Sequence, residues 1–280
     1  MKIIKRPLKF IEKTLLVSIL FIILVFLLPT NFIQIDISNL LTATTVLFGI
    51  LTGFFIAATL TNYFRMQSLI AEETANLISL RDVCITLEPS FRKEINDAID
   101  RYIIASFDFE LTEYIDKTWE EFNKILKITD RIKKKNTNLF ASLMNTRTDL
   151  LKIRQEITLT ARKIIPLSGW ITIIALAIIN IALLYSIRNS SIISSIFTVL
   201  LSSAACLVLF LLDEIDSDRF AEEKLAFEIY QRTFLEIGKL PYYPSVSVES
   251  GRIRPKGTYR LGEYKDYPKS LEKTIKIIKA

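Results

Sequence analysis

"GILTGFFIAATLTNYFRMQSLIAEETANLISLRDVCITLEP", residues 49–89, begins as a membrane helix and does not stop where a membrane would. Its first part belongs to an uncharged run over 37–64. The hydrocarbon core of a bilayer takes about 20 apolar residues as a helix. Charges enter at Arg65, yet no proline or glycine interrupts the chain before Pro89. Met66, Ile70, Glu73, Leu77, Leu80, Cys84 and Leu87 recur at alternating spacings of four and three, a coiled-coil-like seam with one polar intruder, Glu73. The pattern predicts one helix that crosses the bilayer and runs on to Glu88-Pro89.

The membrane part of this helix carries two lines of residues. Thr45, Gly49, Gly53 and Ala57 are all small, and Gly49 and Gly53 form a GxxxG pair of the kind that lets helices approach closely. The adjacent line holds Val46, Ile50 and Phe54. Residues at i, i+4 and i+8 share a face and span about 12 Å at about 1.5 Å per residue. Repeated around an axis, such a face makes an apolar constriction that gates by dewetting. The alternative is a packed bundle with Phe54 against lipid or core. Asn62 and Tyr63, with Arg65 beyond, then sit at the inner mouth.

The rest of the chain divides the same way. Mean hydropathy is +0.33 although 24% of residues are charged, so apolar and charged residues must be segregated in blocks. Uncharged runs cover 14–35, 37–64, 164–187 and 189–212. They predict four transmembrane helices over about 14–28, 42–62, 166–186 and 191–212, with Pro29 ending the first. No small-x-small cleavage site follows that first run, so it reads as a retained anchor. Of the 36 basic residues, all but Arg188 fall in segments 1–13, 62–166 and beyond 212. The positive-inside rule then puts both termini and the middle segment in the cytoplasm, with two short external hairpins, in a plasma (bacterial inner) membrane. The net charge of +6 gathers at the two ends. There it favours anionic lipid as partner, and the near-balanced middle lacks the basic stripe that nucleic acid requires.

Several chemistries are excluded. The sequence contains no histidine, which removes Ser/His and Cys/His catalysis and histidine-ligated zinc. Neither GxxxxGK[ST] nor GxGxxG occurs. The chain reads as no enzyme and as needing no cofactor. Cys84 reads as a small core residue on the seam.

Between the spans the sequence is helical. Pro89 restarts a helix over 90–115, and Thr118 with Glu121 fits a capping box opening the next. That helix fades at Lys133–Lys135, and a fourth leads to Pro166. Asn180, inside the third span, reads as an interhelical hydrogen-bonding residue. Past the fourth span stands an acidic run, Asp213, Glu214, Asp216 and Asp218. Asp213, Asp216 and Asp218 form a calcium candidate, but position twelve counted from Asp213 is Lys224, which breaks EF-hand spacing. The competing reading is N-capping of a helix over 219–237, which Gly238 caps and Pro241 stops. Residues 241–268 read as irregular, rich in Tyr, Pro and Gly. The end, "KSLEKTIKIIK", reads as a short basic amphipathic stretch, as does the N-terminal "MKIIKRPLKFIEK". The fold class is therefore all-α, an integral membrane protein with four transmembrane helices in two hairpins. The membrane domain with its cytoplasmic helices (62–166) covers 1–240, and 241–280 is a tail.

This layout resembles that of bestrophins and their bacterial relatives: two spans, a helical middle, two spans, a tail. "GFFIAATLTNYFRMQSLIAEETANLISLRDV" is similar to the same region of the bestrophin-like bacterial membrane proteins, with its Gly-Phe pair, acidic-small stretch and Arg. Arg154, Pro166 and Trp170 fit that family's pattern, and the acidic run resembles the one that follows the last span in bestrophins. The resemblance covers about residues 40–240 and implies a bestrophin-like homo-oligomer, a pentamer, conducting small inorganic anions such as chloride. It implies a pore neck at Val46, Ile50 and Phe54, aligned through Gly53-Phe54, although Val46 is smaller than an aromatic-rich neck. It also implies a calcium clasp as a possibility for the acidic run. The other reading of the whole chain is a membrane-anchored interaction or sensing protein without a pore.

Overall fold

The computed structural model describes residues 10–30, 37–133, 136–216, 219–249, 253–267 and 269–279, the side chains of 10, 11 and 219–227 excepted. The basic stretch 1–9, Lys134, Lys135 and Asp218 lie outside the described residues, as do the side chains of Phe220 and Phe227. In chain order the helices are α1 (Phe10–Leu27), α2 (Ser38–Leu87), α3 (Arg92–Ser106), α4 (Tyr114–Asp130), α5 (Thr137–Thr160), α6 (Leu167–Ser186), α7 (Ile192–Asp216), α8 (Arg219–Glu236) and the short α9 (Ser245–Glu249). The strands are β1 (Tyr242–Pro244), β2 (Tyr259–Tyr264) and β3 (Lys273–Ile278). Two compact units result, Lys5–Tyr63 with Lys163–Arg219, and Phe64–Arg162 with Phe220–Ala280.

Helix α2 is 50 residues long, about 75 Å at about 1.5 Å per residue. It ends at Leu87, where the unbroken pattern ended. Glu88 turns extended before Pro89, as a pre-proline residue must.

In the first unit, α2, α6 and α7 are long and apolar enough to cross a membrane. Helix α1 stands at the first expected span and turns Leu15, Leu16, Ile19, Ile23 and Phe26 outward. The interior is small: Ile165, Ile173 and Leu212, packed by Leu51, Phe55 and Trp170. Gly169 permits the closest approach, since a Cβ there would lie 2.9 Å from Cζ of Phe55. Polar groups hold the helices as well. Asn180 Oδ1 accepts from Thr44 Oγ1 at 2.7 Å and Thr45 Oγ1 at 3.1 Å, and its Nδ2 donates to the Thr44 carbonyl. Tyr185 donates to the Phe21 carbonyl at 2.8 Å.

The second unit departs from the all-α expectation. Its tail is a three-stranded sheet in the order β1-β2-β3, β1 parallel and β3 antiparallel to β2. Residues 241–268 are thus not irregular throughout, and "KTIKII" is a strand rather than a helix. Its β-branched residues suit a pleated surface. Ion pairs tie the tail to α3 and the turn after it: Asp97 with Lys239, which precedes β1, at 2.7 Å, Asp100 with both terminal nitrogens of Arg260 in β2 at 2.7 and 2.9 Å, and Asp108, just past α3, with Lys273 in β3 at 2.5 Å. Gln231 of α8 bonds the backbone N–H and carbonyl of Tyr242, both at 2.8 Å. As expected, Gly238 ends α8 in the left-handed region (φ 77°), with Lys239 N–H closing on the Phe234 carbonyl.

Two helix boundaries also move. Helix α3 stops at Ser106, and α4 starts at Tyr114. Thr118 therefore lies inside α4, where its hydroxyl donates to the Tyr114 carbonyl, and no Thr118–Glu121 box opens the helix.

Candidate functional site

Two features of α2 matter, one in each unit. The first is its outward face in the membrane unit. The buried stripe of this segment is Thr44, Phe48, Thr52 and Thr59. Helical geometry then forces the other lines outward. Val46, Ile50 and Phe54 are 53%, 64% and 66% exposed. Gly49, Gly53 and Ala57 are exposed beside them, and a Cβ built on either glycine would meet nothing within 4 Å. The small line therefore does not pack helices of one chain together; Gly169 does that. Of the small residues only Thr45 engages a neighbouring helix, through Asn180. Asn62 and Tyr63 are half-buried. Arg65 is paired with Glu156 of α5, so its charge is compensated.

The second feature, in the other unit, is the polar intruder of the seam. Glu73 is fully buried and collects three phenols. Tyr102 of α3 donates to Oε1 at 2.5 Å, Tyr114 of α4 reaches both oxygens at 2.8 Å, and Tyr230 of α8 donates to Oε2 at 3.1 Å. Arg154 of α5, 2% exposed, donates to the Tyr102 hydroxyl, to Thr118 Oγ1 at 3.0 Å and to the Ile115 carbonyl at 3.3 Å. Its guanidinium lies 4.1 Å from the Phe122 ring centroid and about 5 Å from those of Tyr114 and Tyr102. A buried carboxylate and a buried guanidinium thus share an intermediary phenol. Five helices meet at this hub: α2, α3, α4, α5 and α8. Burial, then the charge of Glu73, hold the hydroxyls of Tyr102 and Tyr230 well above the ordinary tyrosine range and raise that of Tyr114 too. Both carboxylate oxygens face phenols from α3, α4 and α8, so the hub ties these helices to α2.

Within the acidic run Asp216 takes neither expected role, and Asp218 lies outside the described residues. Asp216, 5% exposed, accepts the backbone N–H groups of Ile164 and Ile165 at 3.2 Å through Oδ1 and the Trp170 indole N–H at 3.2 Å through Oδ2. It closes the turn before α6 instead of capping α8. Asp213 and Glu214 point outward. Among the described residues no group of three or more acidic or cysteine side chains could hold a metal. Cys84 is wholly buried, and burial pushes its thiol up to about 12.

Apolar helices long enough to cross a membrane, an uninterrupted α2 and a buried polar hub define an α-helical membrane protein. The chain belongs to the Bestrophin-like family, whose domain matches residues 16–217. The fold is that of bacterial bestrophin homologues. A crystal structure of such a homologue from Klebsiella pneumoniae, phased on zinc, superposes with TM-score 0.62 at 13% identity, covering 82% of this chain and 100% of that one. A single-substitution variant from Klebsiella pneumoniae gives TM-score 0.61 with the same identity and coverage. Comparison with curated proteins finds no match.

Proposed function

We propose that the chain assembles around an axis as a bestrophin-type channel, a pentamer, that conducts small anions, with Val46, Ile50 and Phe54 as its apolar neck. The observation that carries the reading is the face of α2: three large apolar side chains in line, unused by the chain's own packing, with Gly49 and Gly53 open beside them. In a ring, the glycines let adjacent copies of α2 approach, and the apolar line closes the space between them by dewetting. The four uncharged runs support four spans, with α1 the first, and the distribution of basic residues supports both termini in the cytoplasm.

Native mass spectrometry of the full chain in lipid nanodiscs, with chloride flux from liposomes, tests this. The expected result is a pentamer whose flux rises in Phe54→Ala and Ile50→Ala. A monomer or dimer, or no flux from any of the three chains, sinks the proposal and favours a membrane-anchored interaction protein.

A further inference from the structure

The tail sheet closes one of its edges and leaves the other open. At the β1 edge, Gln231 holds the backbone N–H and carbonyl of Tyr242, and Pro244 has no N–H to offer. The β3 edge has no such cover. Arg260 of β2 turns its N–H to the Pro241 carbonyl, on the β1 side, and Lys265 N–H meets the Glu272 carbonyl at 3.0 Å. Hydrogen-bonded and non-hydrogen-bonded pairs alternate along an antiparallel ladder. Arg260–Ile277, Gly262–Ile275 and Tyr264–Lys273 are therefore pairs of the second kind, and Lys273, Ile275 and Ile277 direct their N–H and carbonyl groups away from β2. None of these groups takes a hydrogen bond among the described residues.

The side chains along this edge say what fits it. Ile275 and Ile277 are 44% and 62% exposed, and Leu271, just before the strand, is 37% exposed. Glu272, Thr274 and Lys276 alternate with them on the opposite face. Turned antiparallel against itself about Thr274, the stretch is self-complementary: Glu272 meets Lys276, Lys273 meets Ile275, and Leu271 meets Ile277. Opposite charges and Thr–Thr pairs are favourable cross-strand neighbours. Lys273, its ammonium already held by Asp108, meets no cation.

We propose that β3 pairs antiparallel with β3 of a second copy of this chain, about a two-fold axis at Thr274. Lys273 and Ile275 of each copy exchange backbone hydrogen bonds with Ile275 and Lys273 of the other. The two three-stranded sheets become one, and both outer edges of the joined sheet are closed β1 edges. Association therefore stops at the pair instead of growing into a fibre. A two-fold contact cannot close a ring of five, so this contact is separate from the ring proposed above and stands without it.

The full chain in detergent tests the register by oxidation. Thr274→Cys puts two thiols on the axis, in a non-hydrogen-bonded pair with Cα atoms about 4.5 Å apart, within the about 4.4–6.8 Å that a disulfide spans. Non-reducing gels should show a cross-linked pair of chains. Ile277→Cys should give none above the wild-type background, because its two copies lie about 20 Å apart at about 3.4 Å per residue. Sedimentation of the reduced chains over a concentration series reads affinity. Ile275→Pro removes an N–H that β2 does not use and should weaken association about tenfold. Lys276→Glu sets like charges opposite Glu272 and should weaken it about tenfold too, whereas adding Glu272→Lys restores it. Melting midpoints confirm that each variant is folded. No cross-link from Thr274→Cys, equal cross-linking from Ile277→Cys, or association unmoved by both Ile275→Pro and Lys276→Glu overturns the proposal. Cross-linking of a chain that native mass spectrometry finds outside a pentamer upholds the pairing and counts against the ring alone.

Discussion

Replacing Glu73 by glutamine keeps the shape of the side chain and removes its charge. Arg154, 2% exposed, then has no buried countercharge within the hub, and three phenols lose the carboxylate they donate to. Breaking one side of a buried pair costs about 3–5 kcal/mol. At about 2–4 °C per kcal/mol, that lowers the thermal midpoint of the full chain in detergent by about 6–20 °C. Arg154→Met should cost a similar amount, through loss of its stack on Phe122 and its donors to Tyr102 and Thr118. The informative measurement is the double variant. If the carboxylate and the guanidinium compensate each other through Tyr102, the double variant is less destabilised than the sum by about 1–3 kcal/mol. Circular dichroism melts of the four chains give the cycle. Additivity within about 0.5 kcal/mol would refute the coupling, and the hub would be two independent sites.

Further outcomes follow from the same geometry. Tyr102, Tyr114 and Tyr230 hold their protons above the unfolded value of about 10. The folded state therefore binds more protons beyond that pH, and stability is intact below about pH 10 and falls as pH rises past it. Tyrosinate absorbance from these three should develop together with the loss of helical dichroism; independent titration at ordinary pH would contradict their burial. Cys84, its thiol pushed up to about 12, should resist maleimide at neutral pH until the chain is unfolded. Gly262→Ala would put a Cβ 2.0 Å from the Tyr242 hydroxyl oxygen. The overpacking should cost about 1–3 kcal/mol and lower the melting midpoint, against no change if β2 stands away from Tyr242. Asp216→Asn should lower the midpoint through weaker bonds to Ile164 and Ile165, and alter the fluorescence of Trp170.

The residues explain what could be read in advance. The length of α2 was legible because its helix-compatible pattern meets no breaker before Pro89. Three helices long and apolar enough to cross a membrane were legible because charge is absent from the runs 37–64, 164–187 and 189–212. Glu73 stood out as a polar position on an apolar seam, but its partners lie 29, 41 and 157 residues away, and no local pattern reports that distance. Gly49 and Gly53 announce a close approach without naming the partner, and within the chain that approach belongs to Gly169. The capping signal of Asp216 was read forward to residue 219, whereas its carboxylate turns back to 164–165. "KTIKII" has too few residues to separate a period of two from one of 3.6, and only pairing with β2 decides it.

The threonines of the buried α2 stripe have a consequence for biogenesis. Thr52 and Thr59 return their hydroxyl hydrogens to the carbonyls of Phe48 and Phe55, and Thr44 has the Leu40 carbonyl within 2.9 Å. Each polar group is thus silenced by its own helix, so α2 can enter the bilayer before any other helix arrives. Asn180 has no such private acceptor among its bonds, all of which go to Thr44 and Thr45. It is satisfied only once α6 has found α2. In the newly inserted chain that amide acts as a proofreader of assembly: a mispaired α6 carries the cost of a bare amide in hydrocarbon, and the correctly paired one does not.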